Sequence, residues 1–331
     1  MVINLILSII FFSIHFYVEN NKKKIFKKSF LDVPDFERKI HNKPTYLIGG
    51  HYIFILYIIF GIFSPNYGLN EKIIYFSIIS CVFIIGIFDD LIDLKPILKL
   101  SLVLSFYLIL VHFDEDYLLN KVYFETFDKN LNFGVYSYFI SSLCVLLFIN
   151  AINLIDGING LAMLVFTILS VFLNYFLKVD LNLFVFIFFI FIYFNIFNGK
   201  YFLGNSGSLL IGAIISFSTI KAYNVNFLNQ NSAEDIFILF LIPGIDMFRL
   251  FIERIIKKKN PFSADRNHLH HFLIKEFSLK KILIFYSLSI SVSSYLAFED
   301  YVSETNLIIA VIFSYLSLLY FLKKKLKKFN K

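Results

Sequence analysis

The chain has 331 residues, 58% of them hydrophobic and only 17% charged, with mean hydropathy +0.73 and a formal net charge of +7. Apolar stretches long enough to cross a bilayer recur from end to end with no soluble-looking block between them, which excludes a soluble multidomain enzyme. The positive charge then belongs to membrane topology, and no nucleic-acid partner is expected.

The first apolar run, near 1-18, lacks a basic leader and a small-residue cleavage site and reads as a retained span. Further runs lie near 46-63, 71-88, 97-113, 134-153, 160-177, 181-198, 203-221, 235-256, 281-298 and 305-322. The expectation is an all-α polytopic membrane protein of about eleven helices, one integral membrane domain over 1-331. Cys81 and Cys144 sit inside apolar runs without metal-ligand spacing and read as small buried hydrophobes.

Lysine and arginine choose the orientation. They concentrate in the 19-44 segment, in 257-281 and in the tail after Leu322, whereas 114-129 carries Asp114, Glu115, Asp116, Glu125 and Asp128 and a later segment Glu299, Asp300 and Glu304. The positive-inside rule places the N-terminus outside and the C-terminus in the cytoplasm. The segments 19-45, 89-99, 153-160, 198-204 and 257-280 then share the cytoplasmic face. A transporter would more often place its polar groups near the bilayer midplane.

In chain order, Asp32-Val-Pro34-Asp35 leads to Arg38, Lys39 and His41, followed by Gly49-Gly50. These residues suit a lipid phosphate or simply a positive-inside helix start. Asp89, Asp90 and Asp93 cluster at a span end, with Asp89 and Asp93 on one helical face. Crowded carboxylates repel unless a cation sits among them, and hard oxygen donors suit Mg²⁺ or Mn²⁺. A solvated acidic helix end has the same spelling. Asn150, Asn153 and Asp156 form a stripe at helical spacing before Gly157 and Gly160, which would let a substrate approach the backbone or would merely turn the chain. Gly204-Asn205-Ser206-Gly207-Ser208 opens an apolar helix, where free backbone N–H groups favour a phosphate or an ordinary cap. Arg266, His268, His270 and His271 offer charge-assisted bonds to a diphosphate, although a basic loop also attracts anionic headgroups.

Taken in this order, the motifs resemble the bacterial polyprenyl-phosphate N-acetylhexosamine-1-phosphate transferases, of glycosyltransferase family 4 type. That superfamily includes undecaprenyl-phosphate GlcNAc-1-phosphate transferase and phospho-MurNAc-pentapeptide translocase. The His-Leu-His-His spelling and Arg38, Lys39 and His41 are more similar to the GlcNAc-type branch; the peptidoglycan branch is the alternative within the class. The resemblance implies transfer of a sugar 1-phosphate from a UDP-sugar to a polyprenyl phosphate, releasing UMP. It assigns Asp89, Asp90 and Asp156 to catalysis and to Mg²⁺, with Asn205 as a fourth ligand. Lys99 would contact phosphate, and Gly157, Ile158 and Asn159 would line the uracil pocket beside Phe202. Arg266, His268, His270 and His271 would surround the diphosphate and sugar, and Asn150 and Asn153 would face substrate. One departure stands out: the family usually has Asp where Asn205 stands, so an uncharged amide oxygen replaces a carboxylate. A transporter or lipid-handling protein without chemistry is the competing class. Oligomeric state stays open.

Overall fold

A computed structural model describes residues 30–33, 44–63, 69–177, 201–225, 232–261 and 267–329, with isolated helical positions at 13, 17, 20 and 21. The predicted run at 181-198, most of the run at 1-18, and the predicted site residues Arg38, Lys39, His41 and Arg266 lie outside them. The chain divides into two compact units, 1–114 with 182–210, and 115–181 with 211–331.

In the first unit, strands β1 (Leu31–Asp32) and β2 (Thr45–Leu47) precede helices α1 (Gly49–Phe63), α2 (Leu69–Ile92) and α3 (Pro96–Phe113). Pro96 starts α3 where its missing N–H costs nothing. β2 pairs antiparallel with β1 and parallel with β5 (Tyr201–Phe202), through Tyr46 opposite Tyr201 and Leu47 opposite Phe202. This small sheet is an addition to the expected all-helical architecture. β5 runs into α6 (Gly204–Val225), whose residues to Leu210 belong to this unit and the rest to the second.

In the second unit, the acidic 114-129 segment forms an antiparallel hairpin of β3 (Lys121–Phe124) and β4 (Lys129–Asn132), closed by Asp128 in the left-handed region. Then come α4 (Ser137–Ile155), α5 (Leu161–Leu177), and α7 (Ala233–Ile256). A short α8 (Leu269–Leu273) and the long α9 (Leu279–Phe298) and α10 (Glu304–Phe329) complete it. α7 packs on α4, α9 and α10, and α9 also packs on α5. Ser232 caps α7: its Oγ accepts from Asp235 N–H while Asp235 Oδ2 accepts from Ser232 N–H, both at 3.0 Å.

Among the described residues six helices are long and apolar enough to cross a membrane, at 71–92, 96–113, 134–155, 204–225, 279–298 and 304–326. Exposed Ile284, Leu288, Val292, Ile309, Phe313 and Tyr320 on α9 and α10 are the surface that lipid would cover. Three further predicted spans are helices of a different kind. α1 and α5 are shorter, and α7 is long but carries Glu234, Asp235, Asp246, Arg249, Glu253 and Arg254. An apolar average hid those charges, because Asp246 and Arg249 bond each other and need no water.

Candidate active site

In the first unit the paired aspartates lie in the last turn of α2. The helix stops after Ile92 because Asp93 enters the left-handed region at φ 51, its N–H still reaching Asp89 O at 3.1 Å. Asp93 therefore leaves the helix, and the face it was expected to share with Asp89 is not formed. Asp89 is 4% exposed. Its Oδ1 accepts Leu94 N–H at 2.9 Å and its Oδ2 accepts the Lys99 ammonium at 2.8 Å. The break of three residues before Pro96 reverses the chain, so a lysine in the first turn of α3 returns to an aspartate ten positions earlier.

Asp90 does something else. Its Oδ1 accepts Asn205 N–H at 2.6 Å and its Oδ2 accepts Ser206 N–H at 3.0 Å. Those amides open α6 and have no intrahelical acceptor, so a carboxylate satisfies them and complements the dipole. The N–H groups expected to face a phosphate are thus partly taken by Asp90. The glycines serve this junction: a Cβ on Gly86 would strike the Ser206 backbone, and one on Gly50 the Gly207 backbone. Gly204, at φ +75, could gain a Cβ only 2.9 Å from Asp90 Oδ2. The Asn205 side chain makes no hydrogen bond with any described residue and keeps its amide oxygen free. Phe202 lies on β5 beside this junction, half-buried.

In the second unit α4 ends at Ile155, which puts Asn150 and Asn153 on the helix and Asp156 at its C-cap. Asn150 Nδ2 lies 3.5 Å from Met247 Sδ on α7, a weak contact made in packing. Asp156 to Gly160 form the turn into α5, with Ile158 buried and Asn159 half-buried; Gly160 takes φ +79. The space beside Gly157 is filled by His270, whose Nε2 sits where a Cβ would project. An approach anticipated for substrate is made instead by an imidazole, and it joins the Asp156 turn to the histidine segment.

His270 is fully buried, with neither ring nitrogen hydrogen-bonded. Burial, then the nearby His271 and His268, hold its pKa well below the usual histidine range, so the ring is neutral at pH 7. Its ring stacks on His268 with centroids 5.3 Å apart and lies 4.3 Å from His271. His268 Nδ1 is 2.8 Å from Asp246 Oδ2, and Asp246 also accepts Leu269 N–H at 3.1 Å. Placing the proton on Nδ1, where the carboxylate accepts it, leaves His268 Nε2 as the acceptor.

Asp246 was not among the predicted residues, and neither were its other partners. Arg249 Nη2 donates to Asp246 Oδ1 at 2.8 Å and to Asn267 O, while Arg249 Nε donates to Tyr315 OH at 2.7 Å. Tyr315 OH also donates to Asp246. A charged pair inside an apolar run is a signal the sequence does carry. What it withholds is the partner, since His268 and Tyr315 lie 22 and 69 positions away.

A cavity of about 740 Å³ lies between α4, α7 and α10 of this unit, lined by Leu147, Phe148, Phe240, Ile245 and Ile312, with Arg249 and Lys257 toward one end.

Residues 72–223 match the family model described as Glycosyl transferase family 4. The chain is 30% identical over 258 residues to the undecaprenyl-phosphate alpha-N-acetylglucosaminyl 1-phosphate transferase of Thermotoga maritima, covering 78% of this chain and 77% of that protein. It is 26% identical over 268 residues to the protein of the same name from Escherichia coli K12, covering 76% and 71%. The Yersinia pestis protein of that name is 26% identical over 267 residues, covering 77% and 72%.

Proposed function

The chain belongs to glycosyl transferase family 4, in its GlcNAc-1-phosphate transferase branch, and on that footing we propose that it moves N-acetylhexosamine 1-phosphate from a UDP-sugar to undecaprenyl phosphate. An oxygen of the lipid phosphate attacks the sugar-bearing phosphorus. A new P–O–P bond forms, the bond to the nucleotide's phosphate breaks, and UMP leaves with its electrons. The product begins a cell-surface polysaccharide. The reaction takes place at the inner membrane, on its cytoplasmic face.

The observation that carries this reading is the junction of Asp89, Asp90 and Lys99 with the opening of α6. It gathers carboxylates, an ammonium and a helix N-terminus in one place. Phosphoryl-type transfer needs mainly positioning and charge neutralisation, and these are the groups that provide both. Lys99, held by Asp89, is the cation for the diphosphate. Asp90 keeps the α6 entrance in register. Asp246 holds His268 with Nε2 turned to accept, and His270 packs the Asp156 turn in place.

The family relationship implies a divalent metal, and the donors fit one. Asp89 and Asp90 accept a single hydrogen bond at each oxygen and retain lone pairs, and the Asn205 amide oxygen is free. Asp89, Asp90 and Asn205 would hold Mg²⁺, which would supply charge neutralisation to the diphosphate when bound. The apolar cavity beside α7 suits an isoprenoid chain.

The test is incubation of membranes containing the full chain with radiolabelled UDP-N-acetylhexosamines and polyprenyl phosphate, with and without Mg²⁺. The expected result is metal-dependent lipid-linked label together with UMP. Absence of both from every common UDP-N-acetylhexosamine would overturn the reading in favour of transport without chemistry.

A further inference from the structure

A second group of acids lies in the second unit, at the other end of its helices from the histidines. α9 separates the two: the histidine segment precedes its first residue and Asp300 follows its last, about 30 Å away for a helix of 20 residues. Here the turn after β3 presents Glu125, the α9–α10 connection presents Asp300, and the start of α10 presents Glu304. One carboxylate oxygen from each lies within 4.8 Å of the other two. The start of α7 adds Glu234 and Asp235.

These acids differ in what satisfies them. Glu234 is spoken for, its oxygens accepting the N–H groups of Glu125 at 3.2 Å and Thr126 at 3.3 Å. Asp235 gives Oδ2 to the α7 cap, but its buried Oδ1 has no hydrogen-bond partner. Glu304 is 4% exposed, yet its carboxylate makes no hydrogen bond or ion pair with any described residue, and it points into the group. No Lys, Arg or His among the described residues pairs with any of the five acids. Buried carboxylates are retained when something positive joins them. The crowding registers at Glu125, whose carboxyl is pushed up to about 7 by desolvation and then by Glu304, Asp300, Asp235 and Glu234.

We infer that Glu125, Asp300 and Glu304 form a site for a hard divalent cation of the Ca²⁺ or Mg²⁺ class, which clips the β3–β4 hairpin to the α9–α10 turn. All three supply carboxylate oxygen, the donor such ions prefer, from three separate segments of the chain. The ion would be structural, remote from the histidines. The neighbouring contact of Thr126 Oγ1 with Thr305 Oγ1 at 2.9 Å already ties the same two segments.

The experiment uses the chelator-stripped full chain in detergent, titrated separately with Ca²⁺ and Mg²⁺. It follows the unfolding midpoint and the rate of tryptic cleavage at the exposed Lys121 and Lys129 of the hairpin. Either ion should raise the midpoint and slow cleavage at these lysines roughly tenfold, with both effects lost in Asp300→Asn and Glu304→Gln. Glu125→Gln, at an exposed position, decides the matter if the buried Glu304 variant does not fold. Asp156→Asn should keep the protection, which separates it from any metal held for catalysis. Absence of cation protection in the wild type, or its persistence in both Glu125→Gln and Asp300→Asn, overturns the inference.

Discussion

Asp90→Asn tests whether this carboxylate, proposed above for the reaction centre, is also the anchor of the α6 entrance. The substitution is nearly isosteric, so packing against Gly204 is kept while hydrogen bonding changes. Asp90 accepts two backbone N–H groups, at 2.6 and 3.0 Å, with one oxygen each. Asparagine offers one acceptor oxygen and turns an amine toward the second N–H, donor against donor. A charge-assisted bond is worth about 1.5–3 kcal/mol, and leaving a buried donor unmet costs about 1–3 kcal/mol. Allowing for overlap between these two, the variant should lose roughly 2–4 kcal/mol. The measurement is thermal or denaturant unfolding of the purified chain in detergent without divalent metal, so that metal binding does not enter. Asp90→Ala should lose at least as much. If Asp90→Asn unfolds within about 0.5 kcal/mol of the wild type, the α6 junction is not held by this carboxylate and the anchoring argument fails, whatever happens to activity.

Gly157→Ala should cost about 1–3 kcal/mol by overpacking and slow transfer severalfold, because its Cβ would occupy the place of the His270 ring. Adding His270→Ala should recover part of the lost stability; a double variant no more stable than Gly157→Ala would refute the clash. Asn205→Asp restores a charged donor and should lower the Mg²⁺ concentration for half-maximal transfer about tenfold; an unchanged Mg²⁺ titration would remove Asn205 from the metal. Asp246→Asn should reduce kcat about 10–100-fold with a shifted pH profile while leaving UDP-sugar KM nearly unchanged, since it positions His268; an unaltered pH profile would mark the residue as purely structural. His270 has its pKa below that of the unfolded chain, so the unfolded state takes up the extra proton. Its contribution to stability is complete above about pH 6.5 and is lost as the pH falls further. Unfolding midpoints of wild type and His270→Gln across pH 5–8 should converge in slope only above that value.

The membrane class and nine of the helices were legible in the chain itself, because lipid demands long apolar runs and leaves few ways to write them. So were the polar interruptions of those runs. Carboxylates, amides and histidines interrupting such runs are costly without a function, and Asp89, Asp90, Asp156 and the histidines stood out for that reason. Motif order supplied the family and the reaction that the comparisons with known proteins support.

What each polar group does required the tertiary structure. Neighbouring aspartates are equivalent in the sequence, yet Asp89 pairs with Lys99 while Asp90 caps α6, because successive helical side chains point about 100° apart and meet different elements. Asp246, Arg249 and Tyr315 escaped notice because their meaning is a network closed between helices far apart in the chain. Gly157 was legible as a close approach, but not as one made by His270. The carboxylates of Glu125, Asp300 and Glu304 served in the sequence only to mark acidic segments opposite the basic ones, and it is folding that brings the three together. Hydropathy is a local property written residue by residue, whereas a hydrogen-bond partner or a shared cation depends on which distant backbone brings its atoms within about 3 Å, and only packing decides that.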